Sequence, residues 1–449
     1  MNWQTSNSRL QLRRKRPPIR KGFLIGLLGI LLSLVIIYLV VLYLPPLWSR
    51  IWPKPQPKTT AAPDVVVVSP GVSGQVQPKE LEKDQLAKII GSHAFLADEI
   101  HSFRIEDEKG NALYVRTTMD PALQSWAVGY MPKVNALSAA LVVMHPQDGE
   151  VQAMASYLAD GQPVNLALRS SFPAASLFKL ITAAGAVEKK NMGSDSTVSY
   201  DGGKHTLYKK NVESGIKEGE HQVTLKEGFA DSINSVFGKI GAFSLGPKGL
   251  ESFAKKFYFN QPISFEMPVQ KSQFDVQEDE DPYRLAELAS GFNRTTKVSP
   301  LHGAMLASAI VNQGTLMEPA IVREIFDQDN RIYYERQGPV SLGEVVSPRT
   351  VAELKTLMEA TVTEGTGRRR FGDADTHKIL SRLEIGGKSG TINNDEGHRV
   401  DWFICYAKEK QGTEAIAVAS VVVHGAKMGI RSQEIARQAI IQYFKPRLK

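Results

Sequence analysis

An α+β fold is what this sequence predicts, because residues 113–449 begin and end in strand-like runs while helical patterns fill the middle. Residues 139–144 and 150–156 are β-rich, and so are residues 382–391, 400–407 and 414–423. Strands from both ends with helices between them are expected to pair into one antiparallel sheet flanked by helices. Ahead of this domain lies a long uncharged apolar stretch, which reads as an N-terminal transmembrane helix.

Each element has its own signal. Gln147-Asp148-Gly149 between the first two strands is a hairpin turn. Residues 173–189 read as a helix opened by Pro173, with Leu177, Leu180, Ile181, Ala184 and Val187 on one apolar side. Residues 225–241 and 285–311 are expected to be mostly helical, and residues 433–444 form a closing helix. The single cysteine, Cys405, lies in the strand-like run Trp402-Phe403-Ile404-Cys405-Tyr406 and reads as a small core residue; it cannot form an internal disulfide.

Charge places the chain at a membrane. Residues 1–21 carry Arg9, Arg13, Arg14, Lys15, Arg16, Arg20 and Lys21 and no acid, which equals the whole formal net charge of +7. The remainder is formally neutral, so nothing resembles the basic face that nucleic acid requires. Residues 22–44 are apolar throughout and would extend ~35 Å as a helix, enough for a hydrocarbon core of roughly 30 Å. The basic flank holds the N-terminus in the cytoplasm, so the rest is expected on the outer (periplasmic) side of the inner membrane, on a single-pass anchor. Residues 45–79 are proline-rich and read as a semi-rigid linker, and residues 80–112 as a short docking segment with a helix.

Chemistry is carried by three short motifs. A serine three residues before a lysine on a helix places hydroxyl and amine on one face, and a neutral amine there can take the serine proton. The pattern occurs at Ser176–Lys179, Ser214–Lys217 and Ser252–Lys255. The first stands at the start of an apolar helix, the second in a Gly- and Glu-rich loop, and the third in a Lys-rich, surface-like segment. Ser232-Ile233-Asn234 is the chain's Ser-x-Asn triplet and Lys388-Ser389-Gly390, extended by Thr391, its Lys-Ser-Gly triplet. The three motifs follow one another at separations of 56 and 156 positions, in the order of the penicillin-interacting set. No histidine spacing suits a metal, and no cofactor is implied.

From about Arg116 to Phe444 the chain resembles the transpeptidase domain of penicillin-binding proteins. Beyond the triplets, Thr117–Gln124 is similar to that family's opening segment, Val298-Ser299-Pro300-Leu301-His302 to its mid-domain helix start, and Glu364-Gly365-Thr366-Gly367 and Asp401-Trp402-Phe403 to the flanks of its Lys-Ser-Gly strand. The resemblance implies a penicillin-binding-protein/β-lactamase-like fold and a serine D,D-transpeptidase that cross-links peptidoglycan stem peptides ending in D-Ala-D-Ala, with β-lactams as covalent inhibitors. Position by position it implies Ser176 as nucleophile, Lys179 as general base and Ser232 as proton relay. Asn234 would hold the peptide amide, and Lys388, Ser389 and Thr391 the terminal carboxylate. The backbone N–H groups of Ser176 and Thr391 would form the oxyanion hole. Asp401 and Trp402 read as structural, and Arg368-Arg369-Arg370 as a solvated loop.

Some features depart from the family. Residues 80–112 leave no room for a glycosyltransferase domain or a long membrane-proximal module, and Ala175 stands where glycine is frequent. A D,D-carboxypeptidase or β-lactamase would use the same acylating residues. A penicillin sensor or a scaffold of the wall-synthesis complex is the alternative outside enzymes. No dedicated deacylating glutamate stands out, and a tethered domain suits a polymeric substrate, so transfer is the favoured reading.

Overall fold

The computed structural model describes residues 81–448, apart from 92, 94–101, 108, 109, 214 and 216–218. The basic tail, the apolar stretch and the linker lie outside the described residues, as do Ser214 and Lys217. Among the described residues no helix is long and apolar enough to cross a membrane.

In chain order the strands are β1 (Ser102–Glu106), β2 (Ala112–Thr117), β3 (Ser138–Met144), β4 (Val151–Leu158), β5 (Phe172–Pro173), β6 (Thr197–Tyr200), β7 (His221–Thr224) and β8 (Lys297–Val298). They continue with β9 (Thr315–Met317), β10 (Val322–Asp327), β11 (Ile332–Glu335), β12 (Ser341–Glu344), β13 (Leu383–Asn393), β14 (Arg399–Glu409) and β15 (Ala415–Val423). The principal sheet runs β13-β14-β15-β3-β4, antiparallel throughout, so both chain ends supply it as expected. β3 and β15 are buried at every residue, which is why their sequences are continuous apolar runs without alternation.

The two-residue period of β3 divides the interior. Ala140, Val142 and Met144 face one core with Leu301, Ala304 and Met305 of the helix Pro300–Val311. Ala139, Leu141 and Val143 face a second core with Leu123 and Ala127 of the helix Pro121–Tyr130 and Ile435, Ala439 and Ile440 of the helix Ser432–Phe444. Helices therefore cover both faces, and β13, at one edge, keeps one side open. Cys405 is fully buried in the second core, and burial pushes its thiol far above the ordinary range.

A second antiparallel sheet, β1-β2-β10-β11, was not legible from the sequence. The segment expected to dock contributes β1 and the helix Lys83–Ile90, whose Leu86 and Ile90 are buried in the first core. Lys83 Nζ pairs with Glu318 and lies 3.5 Å from the buried Glu266 carboxylate.

The middle of the chain is more broken than its periodicity suggested. Phe172 and Pro173 form β5 and pair with β8; Ala175–Phe178 is a 3-10 turn, and the α-helix begins only at Lys179, running to Lys190. Residues 225–241 divide into helices Leu225–Ala230 and Asn234–Lys239 around Ser232, whose φ is +58°. Residues 285–311 divide into helices Pro282–Ser290 and Pro300–Val311, parted at Gly291 and by β8. The shared cause is a left-handed residue, Ala175 (φ +49°), Ser232 or Gly291 (φ +70°), which hydrophobic periodicity does not register.

At Gly291 a Cβ would sit 1.8 Å from the Ala175 carbonyl oxygen and 3.2 Å from Ser176 N. Gly291→Ala is therefore expected to cost about 2–5 kcal/mol, left-handed strain together with overpacking, and to displace the Ser176 turn. Gly129→Ala, in a helix with nothing within 4 Å of the new carbon, is the control. Thermal unfolding of both variants is the check, and an unchanged midpoint for Gly291→Ala would contradict this packing.

Candidate active site

The short 3-10 turn sets Ser176 at the head of a helix whose first residue, Lys179, is fully buried. Its Nζ has three oxygens at 2.7 Å: Ser176 Oγ, Asn234 Oδ1 and the Ser290 carbonyl oxygen. Asn234 Nδ2 donates to the His205 carbonyl at 2.8 Å, which fixes the amide so that its oxygen faces the lysine. Burial, and next the charge of Lys388, hold the Lys179 amine well below its ordinary pKa of 10.5. A neutral amine has two hydrogens and one lone pair. The Ser290 carbonyl and the Asn234 amide oxygen can only accept, so they take the two hydrogens. The lone pair is left for the Ser176 hydroxyl, which then donates.

The other expected residues converge here. Ser232 lies between the helices Leu225–Ala230 and Asn234–Lys239, nearly buried, its left-handed backbone turning it toward the same cleft as Ser176. Lys388 on β13 is fully buried, donates to the Ser389 carbonyl at 3.2 Å and lies 5.1 Å from the centre of the Phe229 ring. Burial lowers its pKa to about 7. Ser389 Oγ is 2.6 Å from Thr366 Oγ1, and Thr366 N donates to the Ala230 carbonyl at 3.0 Å, which ties β13 to the Ser232 segment. Gly390 lets β13 approach Ser176 closely, since a Cβ there would be 3.3 Å from Ser176 N. Because β13 is an edge strand, its outer backbone groups face the cleft rather than another strand. Ser252–Lys255, the surface-like copy, lies on the helix Gly246–Lys256 and takes no part.

These residues open onto a cleft of about 640 Å³, lined by Ser176, Ser232, Asn234, Ser389 and Thr391 among others. Sequence reasoning missed several of its neighbours. Arg369 and Arg370, read as a solvated loop, line it, as do His205, Arg399 and Arg431. Asp401 is more than a strand residue. It pairs across the sheet with Thr391, whose Oγ1 donates to Asp401 Oδ1 at 3.3 Å. Arg431 Nε and Nη2 donate to its two oxygens at 2.6 Å each, and Ser432 N adds a bond of 3.0 Å. Burial would raise the carboxyl pKa, but hydrogen bonds from His424 and Arg431 hold it far below the usual carboxylate range. Trp402, fully buried, donates its indole N–H to the Pro173 carbonyl at 2.9 Å, bracing the strand just before Ser176. The signal that could have found Asp401 was its position opposite Thr391 in a hairpin.

Among the described residues no cluster of His, Cys, Asp and Glu could hold a metal ion. His302 is a core residue, neutral because burial takes its pKa down to about 4, with ring nitrogens 2.6 Å from Ser272 Oγ and the Phe257 carbonyl.

A family profile described as the penicillin binding protein transpeptidase domain matches residues 139–441, about two thirds of the chain. The chain belongs to this family. Its relatives include stage V sporulation protein D of Bacillus subtilis, 28% identical over 62% of this chain and 42% of that protein. Another is a peptidoglycan D,D-transpeptidase, PbpA, of Mycobacterium tuberculosis, 25% identical over 70% of this chain and 67% of that one. The chain thus spans less than half the length of the first relative. Among solved structures, the D,D-transpeptidase domain of a peptidoglycan glycosyltransferase from Eggerthella lenta aligns with a TM-score of 0.61 at 24% identity, covering 74% of this chain and 83% of that one. The imipenem acyl-enzyme complex of penicillin-binding protein A from M. tuberculosis aligns at 0.60 and 23% identity, covering 74% and 79%. These likenesses establish the transpeptidase fold.

A pH experiment follows from the two buried lysines. With Lys179 as the expected base for Ser176, acylation by penicillin would need it neutral, so the rate should fall as pH drops and Lys179 takes up a proton. The charge on Lys388 lowers the Lys179 pKa. In Lys388→Met that influence is gone, the Lys179 pKa rises, and the acidic limb of the rate profile should move to higher pH. Stopped-flow acylation between pH 5 and 9 is the measurement; a limb that stays put or moves down would contradict the coupling.

Proposed function

We propose that this protein is a penicillin-binding D,D-transpeptidase that cross-links peptidoglycan stem peptides through an acyl-enzyme on Ser176. The observation that supports it most is the oxygen cage around Lys179, which leaves a lone pair for the serine hydroxyl and nothing else. Ser176 Oγ gives its proton to Lys179 and attacks the carbonyl of a terminal D-Ala-D-Ala. The backbone N–H groups of Ser176 and Thr391 are the donors assigned to the oxyanion, each worth about 3–4 kcal/mol in comparable sites. Ser232 passes the proton on to the leaving amine, so the C–N bond breaks as D-alanine departs. Ser389 and Thr391 face the terminal carboxylate from the edge of β13. Lys388, buried behind Ser389, acts through charge on Lys179 and on that strand. An amine from a second stem peptide then replaces Ser176 on the acyl carbon.

The relatives' names support the substrate class, since PbpA is a peptidoglycan D,D-transpeptidase. β-Lactams are the covalent inhibitors in this reading, and penicillin-binding protein A with imipenem is an acyl-enzyme complex. The apolar residues 22–44 anchor the protein in the inner membrane with its domain on the periplasmic side, where the polymer lies, within reach of other wall-synthesis proteins.

One assay tests the reading. A synthetic stem-peptide thioester, offered with and without an amine acceptor, should give a transfer product that is lost in Ser176→Ala, and mass spectrometry should find labelled penicillin on Ser176. Hydrolysis alone, with or without acceptor, would make the protein a carboxypeptidase or β-lactamase. No turnover and no adduct would point to a scaffold.

A further inference from the structure

Among the described residues that line the cleft, His205 is the one histidine, and neither acylation nor carboxylate binding uses it. His205 stands in the connection from β6 to β7 and lines the cleft beside Ser176, Ser232 and Asn234. Its loop is fixed by the Ser232–Asn234 segment itself. Asn234 N donates to the Lys204 carbonyl and Asn234 Nδ2 to the His205 carbonyl, both at 2.8 Å. Lys204 Nζ binds Asp231 at 2.6 Å, and the fully buried Lys239 holds Asp201 at 3.0 Å. The residue that holds the Lys179 amine is thus the one that presents His205.

The imidazole of His205 is exposed on this cleft wall. The neutral ring carries one N–H and one lone pair, so it can accept a proton at the cleft. Burial lowers its pKa from 6.5, and Lys179 and Lys388, when protonated, push the same way against the raising effects of Ser232 and Asp231. An exposed base at the cleft mouth matches a need the rest of the site leaves unmet. An amine with an ordinary lysine pKa is deprotonated in only about one molecule in 2,500 at pH 7. Lys179 can take only one of the two protons that an acceptor ammonium must lose, so the other needs a second base.

We propose that His205 is the base that deprotonates the incoming acceptor amine in the transfer step, an inference that rests on the transpeptidase reading above. The acceptor ammonium gives one proton to the free ring nitrogen. Its nitrogen then attacks the acyl carbon, forming the C–N bond. The second proton on that nitrogen passes through the Lys179 amine to Ser176 Oγ as the ester C–O bond breaks. The imidazolium loses its proton to solvent at the open mouth. Water as acceptor needs no such help from His205, because its attack is served by Lys179.

The experiment compares the full chain with His205→Gln, polar and of similar size but not basic, and His205→Ala. A stem-peptide thioester is the donor and Nα-acetyl-lysine the acceptor. Labelled-penicillin acylation and hydrolysis of the thioester should stay within about twofold of the parent. Transfer at pH 7 should fall about tenfold or more, within the range for general bases. The parent's transfer should hold as pH falls to 6.5 and decline only as the ring is protonated below that. The deficit of both variants should close toward pH 10, where the acceptor deprotonates unaided. An unchanged ratio of transfer to hydrolysis would overturn the assignment. So would parallel loss of acylation in both variants, which would make His205 a wall of the cleft. No transfer by the parent chain would instead remove the transpeptidase reading, and this inference with it.

Discussion

Everything in this site depends on keeping one amine uncharged in a place where it touches only oxygens. Lys179 is fully buried, and an ammonium there would be costly without a carboxylate beside it. The three oxygens around Nζ belong to a hydroxyl, an amide and a carbonyl, none of them ionised. They satisfy hydrogen bonds without supplying charge, so burial decides the protonation state. A carboxylate in place of Asn234 would hold the proton on the lysine and disarm the serine.

The fold meets this requirement by gathering three broken helices. Ser176 lies on a 3-10 turn before Lys179–Lys190, Asn234 begins a helix just after the left-handed Ser232, and Ser290 ends a helix at Gly291. Each break exposes backbone groups that a continuous helix would hide, and the Ser290 carbonyl thereby reaches Lys179. Strain of this kind persists where the surroundings enforce it. Here the enforcement comes from β13 on one side, through Gly390, and from Trp402 bonded to Pro173 on the other.

This explains which parts could be read in advance. The principal sheet was legible because β3 and β15 are buried on both faces and their sequences are apolar without interruption, and the closing helix because Ile435, Ala436, Ala439 and Ile440 share one face. Ser176, Lys179, Ser232, Asn234 and Lys388 could be named because short motifs fix local geometry whatever the tertiary context. The second sheet could not, since it joins the β1–β2 pair to β10 and β11 from far along the chain through the β2–β10 pairing. The helix breaks were hidden for another reason: Ala175 and Ser232 take a left-handed conformation that residue type does not announce. Asp401 and His205 stayed in the background because their importance is relational. One needs Thr391 opposite it and Arg431 above it; the other needs a loop held by Asn234. The full burial of Lys388 was equally invisible, and it makes that lysine's charge felt by Lys179.

The protonation state of Lys179 is the claim on which the mechanism stands, and it can be read without turnover. Lysine side-chain nitrogens labelled with ¹⁵N can be followed by NMR against pH, with the Lys179 signal assigned by its disappearance in Lys179→Arg. The expected result is a titration well below the ordinary 10.5, distinct from that of Lys388. A Lys179 signal that titrates at its ordinary value would mean an ammonium in the oxygen cage, and the serine would have no base.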